Sequence, residues 1–378
     1  MARLGDVCDV RDGTHDSPSY VEEGYPLVTS KNIIDGKLDL SVVSYISFED
    51  YRKINERSKV DSGDIIMPMI GTIGNPYIVE EFTDFAIKNV ALIKFTNKRV
   101  FNKYIFYFLN SGKFRRYIYE NNRGGTQKFL SLKDIRNIEI EFPTLDKQVE
   151  IVTKLNKVSN LICLRQQQLA KLDELVKARF VEMFGNQETN PFGWEKCTVG
   201  ECCTLKSGTS LSAEVENEGG SIPYVKVGDM NYPGNERYIT TSSRYVSEKT
   251  AGNGLFEVGS ILFPKRGGAI GTNKKRMTKL PICADLNVMG VTSKGKLIPE
   301  YLFAYFDSID LGALSDGSSV PQINNKNIAP LEICLPPMEL QKQFTTFVEQ
   351  VDKSKVAVQK ALDEAQTLFD SLMQQYFG

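Results

Sequence analysis

Two arrangements of apolar positions follow one another along this chain, and the pair occurs twice. Short apolar runs bounded by Gly, Pro, Asn and Asp come first: Tyr25 to Ser30, Asp64 to Ile70 and Val90 to Phe95, then Tyr224 to Val227 and Ser260 to Phe263. Runs so short with such boundaries predict strands. A helix carrying aromatic residues on one side is expected at Asn102 to Asn110 and again at Pro299 to Phe306, and a closing strand at Ile138 to Phe142 and Leu331 to Leu335. Pro143 and Pro336 end these strands, and a long pattern in alternating steps of four and three begins behind each. Its apolar positions are Ile151, Leu155, Val158, Ile162, Leu169, Leu172, Val176 and Met183 in the first copy. In the second they are Phe344, Val348, Val351, Val358, Leu362, Ala365, Phe369, Leu372 and Tyr376. That spacing is the seam of a coiled coil. Arg165 and Arg179 interrupt the first stripe where the second has Val358 and Leu372, and Lys355 interrupts the second where the first has Ile162. A narrow stripe needs a narrow partner, and the other helix is the nearest candidate. A pseudo-twofold between the copies would make the pair antiparallel.

The duplication extends to individual residues, at a separation of about 193 to 198 positions. Leu4-Gly5-Asp6-Val7-Cys8 with Asp12-Gly13-Thr14 is answered by Val199-Gly200-Glu201-Cys202-Cys203 with Ser207-Gly208-Thr209. Ser62-Gly63-Asp64-Ile65-Ile66-Met67-Pro68 is answered by Val258-Gly259-Ser260-Ile261-Leu262-Phe263-Pro264, Gly71 to Gly74 by Gly268 to Gly271, and Tyr104-Ile105-Phe106 by Tyr301-Leu302-Phe303. From Lys133 and Lys326 onward the copies run without a gap to Gly185 and Gly378. Short mixed strands with few helices imply an α+β class for each unit. The expected organisation is a domain over 1–142, a spacer helix over 143–185, a second domain over 186–335 and a second spacer helix over 336–378. Asn186 to Trp194, with Asn190-Pro191 and Phe192-Gly193, reads as a linker.

Composition changes this picture little. A chain of 378 residues can bury two substantial cores. No apolar run approaches the roughly 20 residues of a membrane span and no secretory pattern opens the chain, so the cytoplasm is the expected location and no membrane partner is expected. The 7 cysteines make no Cys-x-x-Cys framework and read as reduced packing residues. Cys197, Cys202 and Cys203 lack the further ligands of a tetrahedral metal site.

Charge placement matters more than the net charge of −1. Between Asp84 and Glu120 there is no acid, while Lys88, Lys94, Lys98, Arg99, Lys103, Lys113, Arg115 and Arg116 accumulate. Between Glu257 and Asp285 the second copy carries Lys265, Arg266, Lys274, Lys275, Arg276 and Lys279. Two local basic stretches fit two footprints for phosphates.

A catalyst is harder to find. The single histidine, His15, lies in a polar segment with no equivalent in the second copy and reads as a surface or contact residue. No phosphate-binding Gly-Lys-Ser/Thr loop is present. Asn190-Pro191-Phe192 lacks the second proline of an amino-methyltransferase motif and sits in a linker. The glycine segments at 71–74 and 268–271 read as turns joining strands, their recurrence beside basic residues favouring DNA contact over Lys265 to Arg276.

Several features together resemble the specificity subunit of a type I restriction-modification system. They are Leu4-Gly5-Asp6 with Gly13-Thr14, Gly63-Asp64-Ile65-Ile66, Gln127-Lys128-Phe129-Leu130 before Lys133-Asp134-Ile135, and the strand-Pro-helix exits at Ile138 to Gln148 and Leu331 to Gln341. The resemblance spans essentially the whole chain, which departs from the commonest pattern at its start, where Met1 stands almost directly before Leu4. It implies two target recognition domains, each reading half of a split double-stranded DNA site, and helical spacers that dock methyltransferase subunits, two in number. It also implies that this chain holds no catalytic residue, cofactor or metal. S-adenosylmethionine and ATP would belong to modification and restriction/translocase subunits.

Physics fits that role. A helix of about 40 residues spans about 60 Å, whereas a flexible linker of equal length extends only about 35 Å with a broad spread. Successive major grooves on one DNA face are about 34–36 Å apart, so a stiff helix pair would accept essentially one half-site spacing. The expected DNA contacts are Thr14, Lys31, Asn32, Asn75, Lys88, Asn89, Arg123, Gln127 and Lys128 in the first domain. In the second they are Lys206, Lys226, Asn231, Lys265, Arg266, Asn273, Lys274, Lys275, Arg276, Gln322 and Asn324. Two other classes stay open at this level: an enzyme, nuclease or methyltransferase, with an unrecognised site, and a scaffold joining two protein partners without DNA.

Overall fold

The computed structural model describes residues 1–34, 36–71, 73–80, 83–121, 129–217, 219–315 and 318–378. It divides into two compact units, Met1–Gln166 with Lys360–Gly378, and Gln167–Gln359. Each unit therefore holds one set of short elements and a piece of both long helices.

In the first unit, strands Asp9–Asp12, Val90–Lys94, Ile65–Pro68 and Tyr77–Ile78 form one antiparallel sheet in that order. A second sheet runs Ala86–Ile87, Tyr25–Val28, Ser44–Ile46 and Tyr20–Val21, its first pair parallel. The second unit repeats the plan. Cys203–Ser207, Val288–Ser293, Ile261–Pro264, Arg276–Thr278 and Tyr238–Ile239 make the larger sheet, and Tyr245–Val246, Ile222–Val225 and Cys283–Ala284 the smaller. Both central strands, Val90–Lys94 and Ile261–Pro264, are apolar on successive residues because one core lies on each side of the sheet. Ile66, Leu92 and Val90 face the smaller core of the first unit, while Ile65, Met67 and Ile93 face the larger.

The repeated glycines mark close approaches. A Cβ at Gly13 would lie 2.2 Å from the carbonyl oxygen of Ile87, and one at Gly208 would lie 2.3 Å from that of Ala284. The Gly-Thr pairs thus seat the turn after the first strand of each larger sheet against the smaller sheet, where Thr14 N–H donates to Ile87 and Thr209 N–H to Ala284.

Entry and exit of each unit are also paired. Ala2–Arg3 lies antiparallel to Glu139–Ile140, and Glu195–Thr198 to Glu332–Leu335. Behind each exit strand a 40-residue helix begins, Leu145–Phe184 and Met338–Phe377. Of the expected seam positions, Ile151, Leu155, Val158 and Val176 on the first helix, and Phe344, Val348, Val351 and Val358 on the second, are buried. Ile162, Leu169, Leu172, Leu362, Phe369 and Leu372 are half-buried. In the first unit Ile151 and Leu155 share a core with Phe369, Leu372 and Phe377. In the second, Val176, Phe180 and Phe184 share one with Phe344, Val348 and Val351. Each unit by itself sets the start of one long helix against the end of the other, so the pairing is antiparallel. The polar interruptions find partners: Lys355 pairs with Asp173, and the Arg179 guanidinium lies over the Phe347 ring at 5.7 Å.

Some expectations need correction. The strand expected at Tyr224 to Val227 is Ile222–Val225, because Val227 opens a tight turn over Val227–Asn231. Helices at Phe48–Ser58 and Gly112–Asn121 were not foreseen. Cys163 is exposed, unlike the packed Cys8, Cys202, Cys203, Cys283 and Cys334. Among the described residues no helix is long and apolar enough to cross a membrane.

Candidate nucleic-acid interface

One place in each unit gathers several of the polar residues singled out above. It lies where the sheet strands end, next to the Gly-Thr turn. The two units share their backbone bonding here. Pro68 faces Val90, and Pro264 faces Val288. The next residues bridge to a returning segment, Ile70 to Phe129 and Arg266 to Gln322, with Leu130 N–H donating to Met69 and Ile323 N–H to Lys265. What differs is the side chains: Met69 and Ile70 in one unit stand where Lys265 and Arg266 stand in the other.

The position before the Gly-Thr pair differs as well. In the first unit it is Asp12, buried, whose carboxylate accepts from Arg57 Nη2 at 2.5 Å and meets His15 Nε2 at 2.8 Å. His15 Nδ1 lies 2.8 Å from Asn89 Oδ1. These hydrogen bonds, from Asn89 first and Asp12 second, raise the imidazole pKa, because a ring facing two acceptors satisfies both only when both nitrogens carry protons. The half-exposed ring stands at the mouth of a cleft of about 380 Å³ lined by Thr14, Asp50, Lys53 and Arg57. In the second unit the position is Ser207, whose Oγ accepts from Lys265 Nζ at 2.9 Å.

Thr14, Lys88 and Asn89 come together around this turn: Thr14 bridges to Lys88, Asn89 N–H donates to the Thr14 carbonyl, and Lys88 Nζ reaches Ser17 Oγ at 3.1 Å. Asn89 adopts a left-handed φ of 57°, which an Asn tolerates and which swings its amide toward His15. Lys31 is exposed on a short turn, while Asn75 is half-buried and donates to the Ile33 carbonyl. Asn32 is buried and fully engaged with Thr29, Asp39 and Val42, so it holds its own loop. Arg123, Gln127 and Lys128 lie outside the described residues.

In the second unit Lys206 donates to the Leu255 carbonyl over the Phe256 ring, and Lys226 pairs with Glu216 at 2.5 Å. Arg266 is exposed. Asn324 N–H and the Asn327 side chain close the start of a short helix. The run Asn273 to Arg276 is largely turned inward. Lys275 is 3% exposed, its ammonium donating to the Ile309 carbonyl at 2.5 Å and to Asn273 Oδ1 at 2.8 Å, and burial lowers its pKa to about 8. Arg276 donates to the carbonyls of Met230 and Lys275, with burial lowering its pKa. Asn273 is left-handed at φ 54° and accepts from Leu311 N–H. Asn273 is itself exposed, and Lys274, half-buried, reaches Asn231. Lys275, Arg276 and Asn32 thus already serve buried carbonyls or amides of this fold, while Asn273, exposed, stays with the proposed contacts. Sequence reasoning passed over Arg57 and Lys53 altogether, since the helix Phe48–Ser58 that delivers them has only the short Glu248–Ala251 as a counterpart.

Among the described residues no group of three or more His, Cys, Asp or Glu could hold a metal ion. The arrangement offers cations and amides at strand ends in both units, groups of the kind that bind phosphates and base edges.

Comparison with known proteins agrees in kind. The family model described as "Type I restriction modification DNA specificity domain" matches residues 1–174 and 191–365. A protein with the provisional name type I restriction enzyme MjaX specificity subunit, from Methanocaldococcus jannaschii, is 21% identical, with 96% of this chain and 90% of that protein covered. Among solved structures, the S subunit of a type I restriction-modification system from M. genitalium is similar with a TM-score of 0.56 at 16% identity, covering 100% of this chain and 95% of that one. A chain from a study of complex assembly and conformational transition in the type I R-M system gives a TM-score of 0.62 at 20% identity, covering 100% and 96%.

Proposed function

The chain belongs to the family of type I restriction modification DNA specificity domains, and from that premise we propose how it works. It is the non-catalytic DNA-specificity subunit of a restriction-modification complex and reads a bipartite target with its two recognition domains. It assembles with other subunits of that complex and with DNA. In the finer reading, two methyltransferase subunits dock along the spacer helices and bring S-adenosylmethionine. Restriction/translocase subunits join through the assembly and use ATP, and the complex acts in the cytoplasm. The domains are 1–142 and 186–335, and the spacers 143–185 and 336–378.

One observation carries the proposal: a single chain holds two copies of one backbone frame whose equivalent edges carry different side chains. Two readers of different half-sites need one frame and different side chains at the ends of its strands. In the first domain Thr14, Lys31, Asn75, Lys88 and Asn89, joined by His15, Lys53 and Arg57, would contact one half-site. Arg123, Gln127 and Lys128 belong to the same proposal. In the second, Lys206, Lys226, Asn231, Lys265, Arg266, Asn273, Lys274, Gln322 and Asn324 would contact the other. Backbone phosphates take the cations, and base edges take the amides and guanidinium.

Methylome sequencing of a host expressing this chain with its modification subunits tests the reading. Methylated adenines in a split motif are expected, and exchanging Lys265 and Arg266 for Met and Ile should alter recognition of one half only. Methylation that persists unchanged without the chain would overturn it.

A further inference from the structure

Two residues with the same sequence position in the two copies make the same three hydrogen bonds. Gln148 is the fourth residue of the first long helix and Gln341 the fourth of the second. They are 0% and 1% exposed. Gln148 Oε1 accepts from Phe101 N–H at 2.9 Å, and its Nε2 donates to the carbonyls of Arg99 at 3.0 Å and Pro143 at 2.9 Å. Gln341 Oε1 accepts from Ile298 N–H at 2.8 Å, and its Nε2 donates to Lys296 at 3.3 Å and Pro336 at 3.0 Å. Phe101 and Ile298 are the residues that open the short aromatic helices Asn102–Leu109 and Pro299–Asp307, and neither start has a side-chain cap of its own. Pro143 and Pro336 are where the exit strands end.

One amide therefore ties three elements at a point: the strand leaving the domain, the helix at its back and the first turn of the spacer. Both amide protons and an oxygen lone pair are used, a demand only a carboxamide of this length meets. Apolar residues of the same helix, Ile151, Val152 and Leu155, hold it against the domain core, and the amide adds directed bonds at its first turn.

We propose that Gln148 and Gln341 are positioning residues that fix the angle at which each spacer helix leaves its recognition domain, and through it the half-site spacing. The proposal rests on the function stated above. Leverage makes the angle matter: over a helix of about 60 Å, a tilt of about 3° displaces the far end by about one base-pair step of 3.4 Å. Two directional brackets, one at each spacer, hold both ends of the ruler.

The test compares Q148M, Q341M and the double variant with the wild-type complex by sequencing methylated sites in a library whose half-sites are fixed and whose spacer length varies. Y104F and Y301F are the controls. They each remove a hydrogen bond to the exit segment, to Glu141 at 3.0 Å and to Cys334 at 2.9 Å, and Y301F also the bond to Gln187 Oε1 at 3.1 Å, while keeping the rings that pack on the long helices. The Met variants should keep the half-site bases and methylate sites with one base pair more or less at least about tenfold above wild type, a change of about 1.4 kcal/mol in discrimination. The Tyr variants should keep wild-type spacing. A uniform fall in methylation with spacing unrelaxed overturns the proposal, and so does a Met variant that no longer assembles, since the bracket would then be a fold determinant and not an aiming device. The wild-type complex separates the two ideas. No split-site methylation there defeats the functional reading and the bracket with it, while strict wild-type spacing with equally strict variants defeats the bracket alone.

Discussion

Replacing Phe344 by Ala strikes the point where both long helices meet the second recognition domain. The ring is fully buried, 5.5 Å from Phe184 at 79° and 5.6 Å from Phe180 at 64°, and Phe184 in turn meets Tyr301 edge-on at 4.7 Å. Removing a buried phenyl costs about 3–5 kcal/mol from forfeited transfer energy and the cavity left behind. Edge-on ring pairs add about 0.5–1.5 kcal/mol each beyond area, and two of them go. A cost near the top of that range, about 4–5 kcal/mol, is expected. The partner ring shares those pairings, so F184A and F344A together should cost about 1 kcal/mol less than their sum. A chain with two units need not unfold in one step, which makes global melting a poor gauge. Hydrogen exchange of peptides within 338–359, compared with peptides within 1–121, reads the loss where it occurs. Protection should fall in the second unit and hold in the first. A loss below about 1 kcal/mol, or strict additivity of the pair, would show that the helices are held by something other than this aromatic cluster.

Other consequences can be checked directly. Neutralising Lys265 and Arg266 by Ala should weaken binding to DNA and reduce the slope of log K against log salt by about 0.9 for each phosphate left without its cation; an unchanged slope would remove both from the interface. Lys275→Met should leave that slope alone. Because the folded pKa of Lys275, about 8, lies below its unfolded value, the wild type gains stability as pH rises from about 8 toward 10.5, and the variant should lack this gain in chemical denaturation. His15 has the opposite sign: its folded pKa is raised, so its stabilising pairing with Asp12 and Asn89 is complete below the unfolded value and lost as pH rises through the folded one. Affinity for the first half-site should follow the same course and become flat in H15Q, and a profile unaffected by the change would exclude the imidazole. Gly208→Ala places a methyl 2.3 Å from the Ala284 carbonyl and should abolish recognition of one half-site while the first unit still binds its own; binding of both at wild-type strength would refute the close packing of that turn.

The long helices were legible because their signal is local: steps of four and three persist for about nine turns, and the prolines at 143 and 336 mark where they can begin. The sites of the glycines were legible too, through repetition, although their reason was not. Gly13 is required by a carbonyl of Ile87, far along the chain, and no spacing reveals that approach. Long-range packing likewise decided the fate of the basic run at Lys274 to Arg276. As a string it is three cations, but the strand Arg276–Thr278 pairs with Ile261–Pro264 and turns Lys275 inward onto the Ile309 carbonyl. Arg57 escaped notice for the converse reason, being one of many surface cations until the fold set it 2.5 Å from Asp12. Gln148 and Gln341 were visible as repeated letters only. Their partners are backbone groups, which leave no trace in composition.

The strand pairs that join the way in to the way out of each unit carry a consequence for inheritance. Ala2–Arg3 beside Glu139–Ile140, and Glu195–Thr198 beside Glu332–Leu335, set the two ends of everything in between at neighbouring-strand distance, about 5 Å. So long as a polypeptide spliced between such doorposts keeps the helix start that meets Gln148 or Gln341, the corridor beyond them keeps its heading. A lineage could thus rewrite the text read by one half in a single recombination, leaving the grammar of the whole untouched.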